Sequence, residues 1–167
     1  MEPIPVNQFI DDLQPAFEAG DAHARTKSPE AANFGLVKAV YEALNQGDLK
    51  AFLSMLSEDM ELEIVGPPVV PFVGRWKGRA ELAVAIPRNF SVIGDLKPEI
   101  ISVVAQGDTV VVVAREKGRY KPNDRPYETN WVQTYTISGG KVVKMRQVFD
   151  SGPFLEAIYG PAIEKPQ

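Results

Sequence analysis

A change of hydrophobic period near residue 60 constrains this chain more than any other feature. Ahead of it, apolar residues recur at helical spacing; beyond it they alternate, as a strand with one buried face requires. The segments LKPEIISVVAQ (96–106), TVVVVAREKGRY (109–120) and WVQTYTISGGKVVKMRQVFD (131–150) leave almost no room for helix. Turn residues separate them at Gly107-Asp108 and at Lys121-Pro122-Asn123-Asp124. Helices first and a meander of long strands last is the α+β order, with helices packed on one face of a curved antiparallel sheet.

The helical half divides at its own punctuation. Val6, Phe9, Ile10, Leu13 and Phe17 predict a short amphipathic helix within 6–18, kinked or split by Pro15. The stretch GDAHARTKSPE then reads as a linker, after which Ser28 can cap a second helix and Pro29 fits its first turn. Phe34, Val37, Tyr41 and Leu44 form the stripe of that helix, widened by Leu36, Val40 and Ala43, until Gly47 stops it. Asp48 starts a third helix, with Leu49, Phe52, Leu53 and Leu56 facing inward and Ser57-Glu58-Asp59 closing it. The first strand is expected at MELEIV (60–65), where Leu62 and Ile64 alternate with Glu61 and Glu63. Its successor GPPVVPFVGRWKGR, rich in proline and glycine, predicts an ordered loop, and ELAVAIPRNF a helix ended near Pro87.

Composition excludes several chemistries. The 167 residues contain no cysteine, which removes thiol nucleophiles, thiolate metal sites and disulfides. The single histidine, His23, lies in a polar stretch, so a multi-histidine metal site or a core Ser/His pair has no material. No metal and no cofactor are expected. A net charge of -4 without a basic run predicts no nucleic-acid partner, and the absence of a long apolar stretch predicts no membrane span. The expected location is cytoplasmic, since MEPIPVNQF has no basic region followed by an apolar run.

The closing hairpin decides which side chains meet. ISGGKV permits a two-residue Gly139-Gly140 turn or a three-residue Ser138-Gly139-Gly140 loop with Gly140 left-handed at a bulge. The two differ by one residue of register, which moves one strand's side chains to the other face. The three-residue loop puts Trp131, Gln133, Tyr135 and Ile137 on one face with Val143, Met145, Gln147 and Phe149. It is favoured because the alternative sets Lys144 and Arg146 beside the aromatics. Gln133 and Gln147 are then the polar pair of an apolar face, close enough to interact. Asp150 falls on the opposite parity and precedes Ser151-Gly152-Pro153, so it reads first as a carboxylate at a helix entry. A catalytic role requires a bulge that turns it inward.

Three segments, ALNQGDL (43–49), PFVGRWKGRAEL (71–82) and GGKVVKMRQVFD (139–150), resemble the SnoaL-like branch of the nuclear transport factor 2-like superfamily, over about residues 33–150. The resemblance implies a cone: a strongly curved antiparallel sheet wrapped over three helices, open at one end and usually paired as a homodimer. Residues 31–160 would form the cone, and 1–30 an N-terminal extension carrying the extra helix. Ketosteroid isomerase, polyketide cyclases, scytalone dehydratase and limonene epoxide hydrolase are members, so the resemblance implies a fold without an activity. The isomerase's oxyanion-binding tyrosine falls on Val40, its general-base aspartate on Ile64 and its protonated aspartic acid, a worked example of a neutral buried carboxyl, on Gln133. The cyclases' histidine and aspartate fall on Gln133 and Gln147. Neither glutamine can take up a proton near neutral pH, although both can orient a carbonyl or hydroxyl.

A small apolar molecule is therefore the expected partner, held in a pocket of Leu62, Ile64, Trp131, Gln133, Tyr135, Met145, Gln147 and Phe149. Trp76 and Arg75 lie on the loop that closes the pocket in similar proteins, where Trp76 could stack on a flat ligand and Arg75 pair with a carboxylate or enolate. Otherwise Trp76 plugs the cone and Arg75 is a surface charge. The alternative is an enzyme on a small carbonyl compound, using Asp150 or another carboxylate, with Glu63 and Glu116 the other titratable candidates. Glu63 alternates with Leu62 and Ile64 and is expected to face solvent, and Glu116 lies in the strongly charged REKGR at a strand end. A site like that of the epoxide hydrolases, as the resemblance implies it, would need two carboxylates bridged by arginine. Without an inward carboxylate, ligand binding should be flat between about pH 5 and 8. Val132, Val142 and Val148 among Thr134, Thr136, Lys144 and Arg146 make an outer face suited to a second copy of the chain.

Overall fold

A computed structural model describes residues 28–160; the amphipathic helix expected within 6–18 and His23 lie outside the described residues. Four helices and six strands follow in the order α1 (Pro29–Asn45), α2 (Leu49–Ser54), β1 (Leu56–Val65), β2 (Gly74–Lys77), α3 (Arg79–Phe90), β3 (Ile93–Gln106), β4 (Thr109–Tyr120), β5 (Arg125–Ser138), β6 (Lys141–Phe149) and α4 (Gly152–Tyr159). The strands form one sheet in the order β2-β1-β6-β5-β4-β3. It is the expected α+β cone, a curved sheet over helices, with one departure: β1 and β6 run parallel while every other pair is antiparallel. The helices between the two strands allow that, because a parallel pair needs a crossover rather than a hairpin.

Local chemistry sets the helix ends. The Ser28 side chain accepts from Ala31 N and Pro29 opens α1, while Asp48 accepts from Ala51 N at 2.8 Å to open α2. Phe34, Val37, Val40, Tyr41 and Ala43 are the buried stripe of α1.

Three expectations are corrected. Ser57-Glu58-Asp59 belongs to β1, which begins at Leu56 and carries an irregularity between Leu56 and Glu61, so a strand pattern broken by a bulge resembles a helix end. The loop after β1 contains strand β2, whose Trp76 pairs with Leu62 and Arg75 with Glu63. Four residues are too few for alternation to show in sequence. Helix α3 continues through Pro87 to Phe90, because a proline near the last turn removes one backbone bond without ending the helix.

The β5–β6 hairpin corrects the loop and keeps the faces. Ser138 pairs with Lys141, so the turn is the two-residue Gly139-Gly140, both with left-handed φ (57° and 72°). A bulge then falls between Thr136 and Ile137, leaving Val143 as the extra residue, and beyond it Trp131 faces Phe149, Gln133 faces Gln147 and Tyr135 faces Met145. One residue gained at the bulge restores the parity that the turn had shifted. Val142, not Val143, is the inward valine, fully buried, so Val142 drops out of the expected outer face.

The core fills the concave side. Rows of inward side chains cross the sheet: Leu62, Met145, Tyr135 and Val110 in one, Ile64, Gln147, Gln133 and Val112 in the next, and Phe149, Trp131 and Ala114 in a third. Helix α4 closes one end through Phe154, 1% exposed, whose ring stands 4.9 Å from Phe72, 4.7 Å from Tyr127 and 5.8 Å from Tyr120.

Candidate functional site

Polar side chains enter this interior at two places. The first is built on the middle row, where strand register puts Gln133 opposite Gln147 and α1 lowers Tyr41 onto them. Gln133 Nε2 donates to Gln147 Oε1 at 2.8 Å. The Tyr135 hydroxyl donates to Gln133 Oε1 at 2.8 Å, and the Tyr41 hydroxyl donates to the same oxygen. The two phenol rings meet edge to face with centroids 6.1 Å apart. Both tyrosines are buried, and desolvation pushes their hydroxyls well above the usual phenol range, so they remain neutral donors at any physiological pH. A buried amide without partners costs on the order of 1–3 kcal/mol; here each amide has one.

The second place is on β4, within the charged run REKGR. Val110, Val112, Ala114, Glu116 and Gly118 share one parity along β4, and the first three are fully buried, so Glu116 faces inward. The Tyr127 hydroxyl donates to Glu116 Oε1 at 2.9 Å, and Trp131 also bonds its carboxyl. Gly118 makes this possible: a Cβ there would stand 2.5 Å from the Tyr127 hydroxyl, so only glycine lets that ring lie across β4 toward Glu116. Desolvation raises the Glu116 carboxyl above the ordinary carboxylate range, against the two hydrogen bonds, and its charge reaches Tyr41 and Tyr127, raising both.

An inward carboxylate therefore exists, which removes the premise on which flat ligand binding between about pH 5 and 8 is expected. The folded protein holds the Glu116 proton more tightly than the unfolded chain does, so stability falls as pH rises from the ordinary carboxylate range through the raised value. The titratable groups that sense Glu116 are phenols, Tyr41 on α1 and Tyr127 on β5, which stay uncharged across that window. Glu116→Gln should flatten the pH dependence of thermal unfolding and raise Tm at pH 8 by about 2–4 °C, the equivalent of about 1 kcal/mol. An unchanged pH profile in that variant would assign the dependence to other groups.

The remaining sequence candidates lie elsewhere. Asp150 is exposed; its Oδ1 accepts from Gly152 N at 3.2 Å and its carbonyl accepts from Thr129 Oγ1 at 2.7 Å, so it links the end of β6 to the start of α4. Arg75 is also outside, its side chain 83% exposed, bonded at 2.6 Å to Glu63, whose other oxygen accepts from Arg146 Nε at 2.9 Å. Those hydrogen bonds hold the Glu63 carboxyl below its usual range. One carboxylate between two arginines on the outer face is the reverse of two carboxylates bridged by one arginine. Trp76, on β2 opposite Leu62, is buried. Val40, where the resemblance placed the missing tyrosine, is fully buried, and the phenol of Tyr41, one residue on, occupies the interior. Among the described residues no group of three or more His, Cys, Asp or Glu could hold a metal ion, and no helix is long and apolar enough to cross a membrane.

Residues 37–145 match the model of the SnoaL-like domain. The chain belongs to the SnoaL-like family. Among solved structures, a nuclear transport factor 2-like protein of Burkholderia xenovorans is 31% identical, with a TM-score of 0.67 over 75% of this chain and 95% of that one. A protein of Jannaschia assigned as a SnoaL-like polyketide cyclase is 21% identical (TM-score 0.68; 83% and 99% covered). An epoxide hydrolase of Mycobacterium tuberculosis, of the limonene epoxide hydrolase-like kind, is 19% identical (TM-score 0.62; 80% and 94% covered). The last two share the fold of this chain. No curated protein matches the sequence.

Proposed function

We propose that this SnoaL-like protein binds a small, uncharged, mainly apolar molecule inside its cone and holds a carbonyl oxygen of that molecule on Tyr41 and Tyr135. The observation that carries the reading is the convergence of two phenol hydroxyls on one oxygen, Gln133 Oε1. Two fixed donors aimed at one point in an apolar interior are what a ligand oxygen needs, and the Gln133 amide stands where it would sit. If Gln133 turns aside, the incoming oxygen inherits both donors. Gln147 then keeps the displaced amide in partnership. The apolar frame is Leu62, Ile64, Val112, Trp131, Met145 and Phe149, so the rest of the ligand should be hydrocarbon.

The test is a matched pair of probes followed by fluorine NMR: 4-fluoroacetophenone, which carries the oxygen, and 1-ethyl-4-fluorobenzene, which does not. The ketone should bind about tenfold more tightly, and Tyr41→Phe should remove most of that difference. Equal binding of the two probes, or none, would sink the reading. An enzymatic alternative, acting on a small apolar carbonyl compound, would take its carboxylate from Glu116, since Asp150 is exposed.

We propose also that two copies pair through the outer face of the sheet. Val65, Val148, Val132 and Val113 stand side by side across β1, β6, β5 and β4, with Ile101 and Val104 exposed on β3. Such an apolar centre with charged flanks supports association of like with like.

A further inference from the structure

Glu116 lies in a setting that its own protein does not complete. It is the inward carboxylate of β4, it is partly buried, and the groups bonded to it, the Tyr127 hydroxyl and Trp131, are neutral. Every ion pair among the described residues involves another carboxylate: Glu58, Glu61, Glu63, Glu99, Asp124 or Glu128. A carboxylate removed from water without a cation is costly, and two neutral donors leave lone pairs on its oxygens unused. The packed interior on this side is aromatic. Trp131 stands opposite Phe149, and Tyr127 packs on Phe154, which in turn meets Phe72 and Tyr120. A carboxyl group held beside the rings of Tyr127 and Trp131 is a combination that recognises an ammonium group, through a charge-assisted hydrogen bond to the carboxylate and attraction to the ring faces.

We propose that Glu116, Tyr127 and Trp131 form a cation site in the interior, which takes a primary ammonium group of a small ligand. Trp131 lies one row from Gln133 on the same face of β5, so the site adjoins the phenol pair. A ligand that used both would carry an acceptor oxygen at one end and a protonated amine at the other. That last step rests on the carbonyl-binding reading; the cation site does not.

The gap in the fold that Gly118 leaves for Tyr127 makes the arrangement specific. With any larger residue the hydroxyl could not reach Glu116, the carboxylate would lose a donor, and the ring would leave the wall of the site. A carboxylate placed only to end a strand needs no such accommodation.

The probe is 4-fluorobenzylamine, which stays charged from pH 5 to 8, with 4-fluorobenzyl alcohol as its neutral counterpart, both read by fluorine NMR on the full chain. At pH 8 the amine should bind about tenfold more tightly than the alcohol. Its affinity should fall as the pH is lowered and Glu116 takes up its proton, while that of the alcohol stays flat. Glu116→Gln should abolish the preference and its pH dependence while leaving 4-fluoroacetophenone binding in place. Tyr127→Phe, which keeps the ring and the charge, should retain most of the preference, so its loss in that variant would also overturn the assignment to the Glu116 charge. Equal binding of amine and alcohol at pH 8, or a preference that survives Glu116→Gln, overturns the proposal. Loss of ketone binding with the amine preference intact would overturn the carbonyl-binding reading alone.

Discussion

Phe154→Ala should be among the most damaging single substitutions in this protein, lowering stability by about 3–5 kcal/mol and Tm by about 10 °C. Phe154 is the large side chain that α4 inserts into the core, 1% exposed, and its ring touches Phe72 from the loop before β2, Tyr120 from β4 and Tyr127 from β5. Truncation leaves a cavity bounded by three rings attached to strands and a loop that cannot close together. The helix depends on such packing: it is eight residues long, far below what is stable alone. Beyond Phe154 it is held by Ala157, 2% exposed, by Leu155 and Ile158 against the core, and by Asn123, whose Nδ2 donates to the Ala157 carbonyl at 2.8 Å. The same substitution frees Tyr127, so the amine preference at Glu116 should weaken in the folded fraction. Urea unfolding followed by circular dichroism measures the first effect. A loss below about 1 kcal/mol would show that α4 is an appendage rather than part of the cooperative unit.

How much of this was legible in the sequence depended on whether a pattern was long enough to average over its exceptions. The meander of β3, β4 and β5 was, because each strand carries twelve or more residues. Strand β2, with four, was not. The inward face of the hairpin came out right from binary patterning even though the turn chosen for it was the wrong one. The pattern recorded the net register of turn plus bulge, and only the sum decides which side chains face the core. Val142 and Val143 lie between turn and bulge, where the sum does not yet apply, and there the assignment failed.

The site shows the same division. Gln133 and Gln147 could be found because an amide pair interrupts an otherwise apolar face. Tyr41 could not be told from the other members of its helix stripe, since a tyrosine packs like any large side chain until its hydroxyl finds a partner. Glu116 was a missed signal rather than an absent one. Its parity with Val110, Val112 and Ala114 pointed inward, but the surrounding charges of REKGR suggested solvent. Alternation deserved the greater weight, because Arg115 and Lys117 are the outward neighbours that such alternation requires: Arg115 pairs with Glu99 and Glu128, and Lys117 with Glu128.

Val132→Glu together with Val148→Glu should convert the proposed dimer to monomer, and this is the second large effect expected. Val132 and Val148 face each other across β5 and β6, 38% and 43% exposed, at the middle of the valine row. Their neighbours in that row are Val113 on β4 and Val65 on β1, so the stripe crosses four adjacent strands without a polar break. Around it lie Arg146, Glu63 and Arg75 on one side and Arg115, Glu99 and Glu128 on the other. These exposed ion pairs add little to the stability of a monomer, but such a rim can fix the register of a partner. Related by a two-fold axis, the stripe meets itself, and two glutamates per copy would bring four like charges into the apolar centre. The cost of burying them should weaken association by at least a hundredfold. Light scattering at micromolar concentration should give twice the chain mass for the parent protein and the single mass for the variant. Ketone binding should persist in the variant if each cone is complete on its own. A parent protein that is already monomeric at that concentration would remove this face as an interface between copies.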